Sequence, residues 1–156
     1  MAPGTKPCPM EWNDIKTKVL NTERQKELVQ SIREGHKELK TSLVSVNFMG
    51  RCGSSRNAES MTPTNMVMVD IDHFKGDVHK AYDEIVFKAE STMPTGWWVE
   101  NAIVAYITPS VGLRLVFKAQ EGIDTIIDNI NFFKEKFDLG LYGDVDKGCK
   151  DLSRVS

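Results

Sequence analysis

The residues of this sequence most able to do chemistry are two aspartates at the end of an apolar run. Asp70 and Asp72 follow the apolar residues 66–69, which have the composition of a buried strand. Because side chains alternate across a strand, both carboxylates are expected on one face. They would repel each other there, and a bound divalent cation would offset that repulsion. The alternative is that Asp70 is a turn residue and Asp72 is a solvated surface group.

Such a pair of carboxylates suits a particular reaction. Hard oxygen ligands favour Mg²⁺ or Mn²⁺. Polymerases use them to hold two ions, about 3.5–4 Å apart, that clamp the attacking and leaving oxygens of the transferred phosphoryl group. Since either aspartate adds to the repulsion, we expect that neutralising Asp70 or Asp72 abolishes Mn²⁺ binding without destabilising the fold.

Two further segments could complete such a site. Arg114 follows a turn of small residues, and a cation placed there can reach a phosphate, because Gly112 has no side chain and leaves space for a ligand beside the guanidinium. Further along the chain, Asp144 or Asp146 could supply a third carboxylate, and Arg154 could pair with phosphate. The ordinary alternatives are that Arg114 is an exposed arginine on a half-buried strand and that residues 144–154 form a charged surface loop.

The composition narrows the classes of function. The chain has 156 residues and a net charge of −2, which argues against a strong grip on nucleic acid that is independent of sequence. Its three cysteines and three histidines lack zinc-ligand spacing, and no P-loop motif is present. With no signal peptide and no apolar run of 18 residues, we expect a cytoplasmic protein that does not contact a membrane.

The elements that must position these residues follow from the hydrophobic pattern. It predicts an α+β fold in which a mixed sheet has helices packed on one face. We expect residues 1–40 to form a lead-in and a helix, and residues 41–156 to form one domain of a longer protein. The longest apolar stripe predicts a buried helix face at Ile123, Ile126, Ile127, Ile130 and Phe133. The predicted helices are 22–34, 77–90 and 122–137, and the predicted strands are 43–48, 66–72, 102–107, 112–117 (a hairpin with the preceding strand) and 139–142.

The order of the three candidate segments resembles the three motifs of archaeo-eukaryotic primases. The closer resemblance is to the VirE N-terminal type of domain, found in plasmid and mobilizable-element proteins of bacteria. It is carried by residues 67–74 (VMVDIDHF), 108–114 (TPSVGLR) and 146–154 (DKGCKDLSR), and it extends over residues 40–156. In that family the second motif usually carries a histidine in a Gly-x-Gly turn, where this chain has a shorter turn and Arg114.

The resemblance implies a fold, a site and ligands. The fold would be an RRM-like primase palm, with Mg²⁺ or Mn²⁺ held by the catalytic residues Asp70, Asp72 and Asp146. The ligands would be a nucleotide triphosphate and single-stranded or primed DNA, with a helicase or a downstream domain as partner. The resemblance implies that the substrate is bound by Ser110, Gly112, Arg114 and Arg154.

The leading interpretation is therefore a primase or polymerase-like nucleotidyl-transfer domain of a mobile-element DNA replication protein. Two alternatives stay open at this point. One is a non-catalytic module of the same fold that binds nucleic acid or assists replication. The other is a structural or interaction domain, whose melting temperature neither metal nor nucleotide would change.

Overall fold

The computed structural model describes residues 10–52, 61–146 and 148, which form two compact units. The first unit extends as far as Thr64, and the second begins at Asn65. None of the described helices is both long enough and apolar enough to cross a membrane.

The first unit consists of short helices and a small hairpin. The helix predicted at 22–34 is confirmed as α2, and the Thr22 side chain accepts the Gln25 N–H at its start. Gly35 follows the helix with φ 117°, a conformation that glycine adopts readily. The elements are α1 (Trp12–Asp14), a π-helical segment (Ile15–Leu20), α2 (Glu23–Arg33), a 3₁₀ segment (Lys37–Ser42), and the antiparallel strands β1 (Gly50–Cys52) and β2 (Met61–Pro63).

The strand predicted at 43–48 is wrong. Side chains, rather than a neighbouring strand, satisfy the backbone here: Gln25 accepts the Val44 N–H, and Asn47 accepts the N–H groups of Met49 and Gly50. Such local bonds compete with sheet formation. The apolar alternation of this segment therefore reflects partial burial without strand pairing.

The second unit contains a four-stranded sheet. Its strand order is β4-β5-β3-β6, and all pairings between these described strands are antiparallel. The prediction of an α+β fold is confirmed, but the sheet is antiparallel and not mixed. The reason is that β5 lies between β3 and β4, so these two strands, which run in the same direction, are not neighbours. The strands are β3 (Met66–Asp72), β4 (Ala102–Ile107), β5 (Leu113–Lys118) and β6 (Asp144–Val145).

Three α-helices lie in the described part of the second unit: α3 (Val78–Thr92), α4 (Trp97–Asn101) and α5 (Ile126–Lys136). The Asp77 side chain accepts the N–H groups of His79 and Lys80 at the start of α3. Helix α4 was not predicted, because five residues are too few to show a helical period.

An aromatic cluster joins two of these helices to one face of the sheet. Phe117 on β5 is completely buried. Its ring centroid lies 4.5 Å from that of Phe133 on α5 and 5.8 Å from that of Trp97 on α4. Burial of such aromatic side chains is a major source of stability in a unit of this size.

The helix predicted at 122–137 begins later than expected. Thr125 accepts the Asp128 N–H, so the first turn starts at Ile126. Ile130 and Phe133 are buried as predicted, whereas the remaining three predicted core residues of this stripe are only half-buried (Ile123, Ile126 and Ile127). The strand predicted at 139–142 is wrong: Leu139–Leu141 is a 3₁₀ turn, in which the Leu141 N–H bonds to the Asp138 carbonyl.

Candidate metal centre

Strand β3 lies between β5 and β6, and this position determines what surrounds its two aspartates. Asp70 lies opposite Arg114 on β5. On the other side, Asp72 lies opposite Asp144, and the Asp146 N–H donates to the Asp70 carbonyl at 2.8 Å. Residues on both neighbouring strands can therefore reach the β3 carboxylates.

Three carboxylates converge at this end of the sheet. Asp70, Asp72 and Asp146 each present a carboxylate oxygen within 4.8 Å of the others. Asp70 is buried, and the other two are half-buried. The predicted convergence of three acids is thus observed, while their roles in metal binding and catalysis remain predictions.

The structure brings Asp146 into this triad, and Asp144 has a different neighbour. An Asp144 carboxylate oxygen, Oδ2, lies 3.1 Å from the Nδ1 atom of His73. Both side chains of that pair are exposed. Of the two acids that the sequence left as alternatives, Asp146 is the one that belongs to the candidate centre.

Arg114 is engaged on two sides. Its Nη2 donates to Oδ2 of Asp70, and its Nη1 donates to the Tyr106 hydroxyl at 3.1 Å. The guanidinium carbon lies 5.7 Å from the centroid of the Tyr106 ring, within the range of a cation–π contact. The Arg114 side chain is 12% exposed. Its guanidinium is therefore directed to Asp70, and phosphate binding by Arg114 remains a prediction.

Burial controls the electrostatics of this pair. Burial raises the pKa of Asp70, the hydrogen bond and charge of Arg114 oppose that rise, and the charges of Asp72 and Asp146 add to it. Burial by itself would lower the pKa of Arg114, but its bonds to Asp70 and Tyr106 raise the pKa above the usual range. The pair is a buried ion pair whose two members depend on each other.

Each member of the pair has one buried polar atom that makes no hydrogen bond with the residues that the structure describes. These atoms are Oδ1 of Asp70, an acceptor, and Nε of Arg114, a donor. Leaving a buried polar atom unsatisfied costs about 1–3 kcal/mol. A cation among the three carboxylates would satisfy the Asp70 oxygen, so the donor set fits a hard divalent ion.

The turn between β4 and β5 is closed by Thr108. Its N–H donates to the Gly112 carbonyl at 2.8 Å, and its Oγ1 accepts the Gly112 N–H at 2.9 Å. Within the turn Ser110 is exposed, and Val111 has φ 65°, which is unusual for a β-branched residue. These two hydrogen bonds close the turn next to the triad.

Gly112 is needed for the contact between this turn and β3. A Cβ atom on Gly112 would lie 2.6 Å from the Ile71 carbonyl oxygen and 3.4 Å from Oδ1 of Asp72. From the sequence we expected space for a ligand beside this glycine. The backbone of β3 occupies that space, so the glycine serves close packing.

Gly112→Ala is expected to lower the unfolding free energy by about 1–3 kcal/mol, because the added methyl group overpacks the contact with β3. Since Asp72 lies beside the new atom, Mn²⁺ affinity is also expected to fall. Urea unfolding and calorimetric titration measure the two effects. Gly140→Ala is the control, because its Cβ atom would meet only the Lys134 side chain, at 3.6 Å. Equal stability of the two variants would contradict this role of Gly112.

One predicted site residue, Arg154, lies outside the described residues. Tyr106 and Thr108 were missed by the sequence analysis, although hairpin pairing could have indicated Tyr106, which lies opposite Arg114. Their contacts with Arg114 and Gly112 come from the pairing of β4 with β5.

The chain was compared with known protein families, with curated proteins and with solved structures, and none of these comparisons found a match.

Proposed function

We propose that this chain is a primase or polymerase-like nucleotidyl-transfer domain of a mobile-element DNA replication protein. The observation that carries the proposal is the convergence of the Asp70, Asp72 and Asp146 carboxylates. Asp70 and Asp72 lie on β3, and Asp146 directly follows β6, 76 positions after Asp70 in the sequence, yet the three meet at one end of the sheet.

 A donor set of three carboxylates, one of them with a buried oxygen that lacks a partner, suits Mg²⁺ or Mn²⁺.

The order of elements in the second unit supports the proposal. From β3 to β6 the chain alternates strand, helices, two hairpin strands, helix and strand, with β3 in the interior of the sheet. This is the order of a split β-α-β arrangement. The RRM-like palm that the motif resemblance implies has the same order, and it would place an acidic centre on an interior strand.

The expected chemistry is nucleotidyl transfer on a single-stranded or primed DNA substrate: a hydroxyl group attacks the α-phosphate of a nucleotide triphosphate, the bond between the α- and β-phosphates breaks, and pyrophosphate leaves. When bound, the divalent cation would supply neutralising charge for the phosphates and the attacking hydroxyl. Asp70, Asp72 and Asp146 would hold it, and β3 fixes the first two while the Asp146 N–H bond to the Asp70 carbonyl fixes the third. Arg154 remains a proposed phosphate contact, and Ser110, on the exposed turn, remains a proposed substrate contact. We expect a cytoplasmic protein that works with a helicase or a downstream domain.

One observation favours a second candidate, a non-catalytic nucleic-acid-binding or replication-accessory module of the same fold. The basic residue of the second motif, Arg114, bonds to Asp70 and Tyr106 instead of pointing at a free space. A site organised in this way could keep the fold and the cation without synthesis. Incorporation of labelled nucleotides that depends on Mn²⁺ or Mg²⁺ would distinguish the enzyme from the accessory module.

Asp146→Asn is expected to weaken Mn²⁺ binding on the order of 10–1000-fold, the range over which a neighbouring charge changes a proton equilibrium. Asparagine keeps the Oδ1 acceptor that bonds to the Gly148 N–H, so the local backbone should be preserved. Calorimetric titration with Mn²⁺ measures the affinity, and nucleotide incorporation measures the activity.

Asp144→Asn is the matched control. It removes the same charge two residues before Asp146, from a side chain that faces His73 and not the triad. We expect the Asp144 variant to retain Mn²⁺ affinity close to that of the parent. Equal losses in the two variants would mean that general surface charge, and not the triad, attracts the ion. No Mn²⁺ binding by the parent protein would refute the proposed metal site.

A further inference from the structure

The balance of charge at the candidate centre differs from that of three isolated carboxylates. Ionised Asp70, Asp72 and Asp146 carry three negative charges, and the guanidinium of Arg114 contributes one positive charge through its bond to Asp70. The group as a whole therefore carries two negative charges. One divalent cation neutralises this group, whereas a second would leave an excess of positive charge in a half-buried site, which is unfavourable.

The oxygens available on Asp70 also indicate a single bound cation. Oδ2 of Asp70 accepts the bond from Nη2 of Arg114, and Oδ1 is the buried oxygen that lacks a partner among the described residues. A carboxylate that bridges two ions with one ion on each oxygen uses both of its oxygens. Asp70 can offer only one of them while Arg114 stays in place.

Tyr106 keeps Arg114 in place. Its hydroxyl accepts the bond from Nη1, and its ring lies beside the guanidinium. Because Tyr106 is on β4 and Asp70 is on β3, the guanidinium is held between the two strands that flank β5. Moving Arg114 away would leave Asp70, which is 2% exposed, as a buried charge without its counter-charge.

We infer that Arg114 is a positioning residue that occupies one carboxylate oxygen of Asp70 and restricts the centre to a single divalent cation. The inference rests on the proposed metal site and adds its stoichiometry. It assigns Arg114 a partner within the protein, and Tyr106 the role of anchoring that partner.

The test is the number of Mn²⁺ ions bound by the full chain, counted by calorimetric titration together with electron paramagnetic resonance of the free ion. The parent protein is expected to bind one Mn²⁺. Arg114→Met removes the charge and frees Oδ2 of Asp70, so we expect two ions at saturation. The first of them should bind about tenfold more tightly or better, in the range over which an adjacent charge changes an ionic equilibrium.

Arg114→Gln covers the case in which the methionine variant does not fold, because its amide can still donate to Asp70. Its first Mn²⁺ should also bind about tenfold more tightly, because the positive charge is gone. Lys118→Gln is the matched control: it removes one positive charge from the same strand, roughly 13 Å away by the rise of an extended chain. Screening at physiological salt should leave the control with parental Mn²⁺ binding.

The possible results separate the two proposals. Two Mn²⁺ ions on the parent protein would overturn the single-cation inference and leave the metal site standing. Parental stoichiometry and affinity in a folded Arg114 variant would overturn the role given to Arg114. Absence of Mn²⁺ binding by the parent would overturn the proposed function itself.

Discussion

Asp70→Asn is expected to destabilise the protein by about 3–5 kcal/mol, and not to leave the fold unaffected as the sequence indicated, because it removes one partner of a buried ion pair and leaves the other partner charged. Arg114 would keep its charge, with its Nη2 facing an amide, in a side chain that is 12% exposed. Urea unfolding without added metal, followed by circular dichroism, measures the loss of stability.

Asp72→Asn is the matched control on the same strand. Asp72 is half-buried and is part of the same triad, but the guanidinium of Arg114 bonds to Asp70. Neutralising Asp72 therefore relieves repulsion, and its unfolding free energy should be unchanged or slightly higher. The double variant Asp70→Asn/Arg114→Met should recover most of the lost stability, since it leaves no unpaired charge. Equal stability of Asp70→Asn and Asp72→Asn would show that the ion pair contributes nothing to the fold.

Phe117→Ala is expected to lower the unfolding free energy by about 3–5 kcal/mol, the usual cost of truncating a buried phenylalanine. Phe117 is completely buried, and its ring packs against Trp97, Trp98, Phe133 and Phe137. The cavity would separate the sheet from both α4 and α5. Urea unfolding measures the loss, and the fluorescence of the two tryptophans reports on the cluster itself.

Phe87→Ala is the control for this variant. Phe87 lies on α3 and is 75% exposed, so its truncation should change stability by no more than about 0.5 kcal/mol. If Phe117→Ala were as stable as Phe87→Ala, the aromatic cluster could not be the main source of stability in the second unit.

The sequence alone was sufficient for the elements with a strong local signal. The apolar run before Asp70 predicted β3, and the period of the residues after Asp77 predicted α3. Both signals arise from burial of one face and from capping, which act over a few residues. The same reasoning failed at 43–48, where apolar alternation was present but side chains of the first unit satisfied the backbone.

The acids of the candidate centre were also predictable, though not their arrangement. Alternation along a strand indicated that Asp70 and Asp72 share a face, and the order of the motifs indicated a third acid. Choosing Asp146 over Asp144 required the pairing of β3 with the chain at β6. A register shift of two residues would have placed Asp144 level with Asp70 in its stead, because positions two apart lie on the same face of a strand.

The partner of Arg114 was decided by the tertiary structure alone. In the sequence, Arg114 and Asp70 are 44 residues apart, and nothing local indicates that they meet. Insertion of β5 between β3 and β4 places Arg114 opposite Asp70 on one side and opposite Tyr106 on the other. The sequence by itself thus determined which residues could hold a cation, because charge and alternation are local properties. The pairing of distant strands decided that one of these acids, Asp70, is already bonded to the guanidinium of Arg114, because register is a property of the whole sheet.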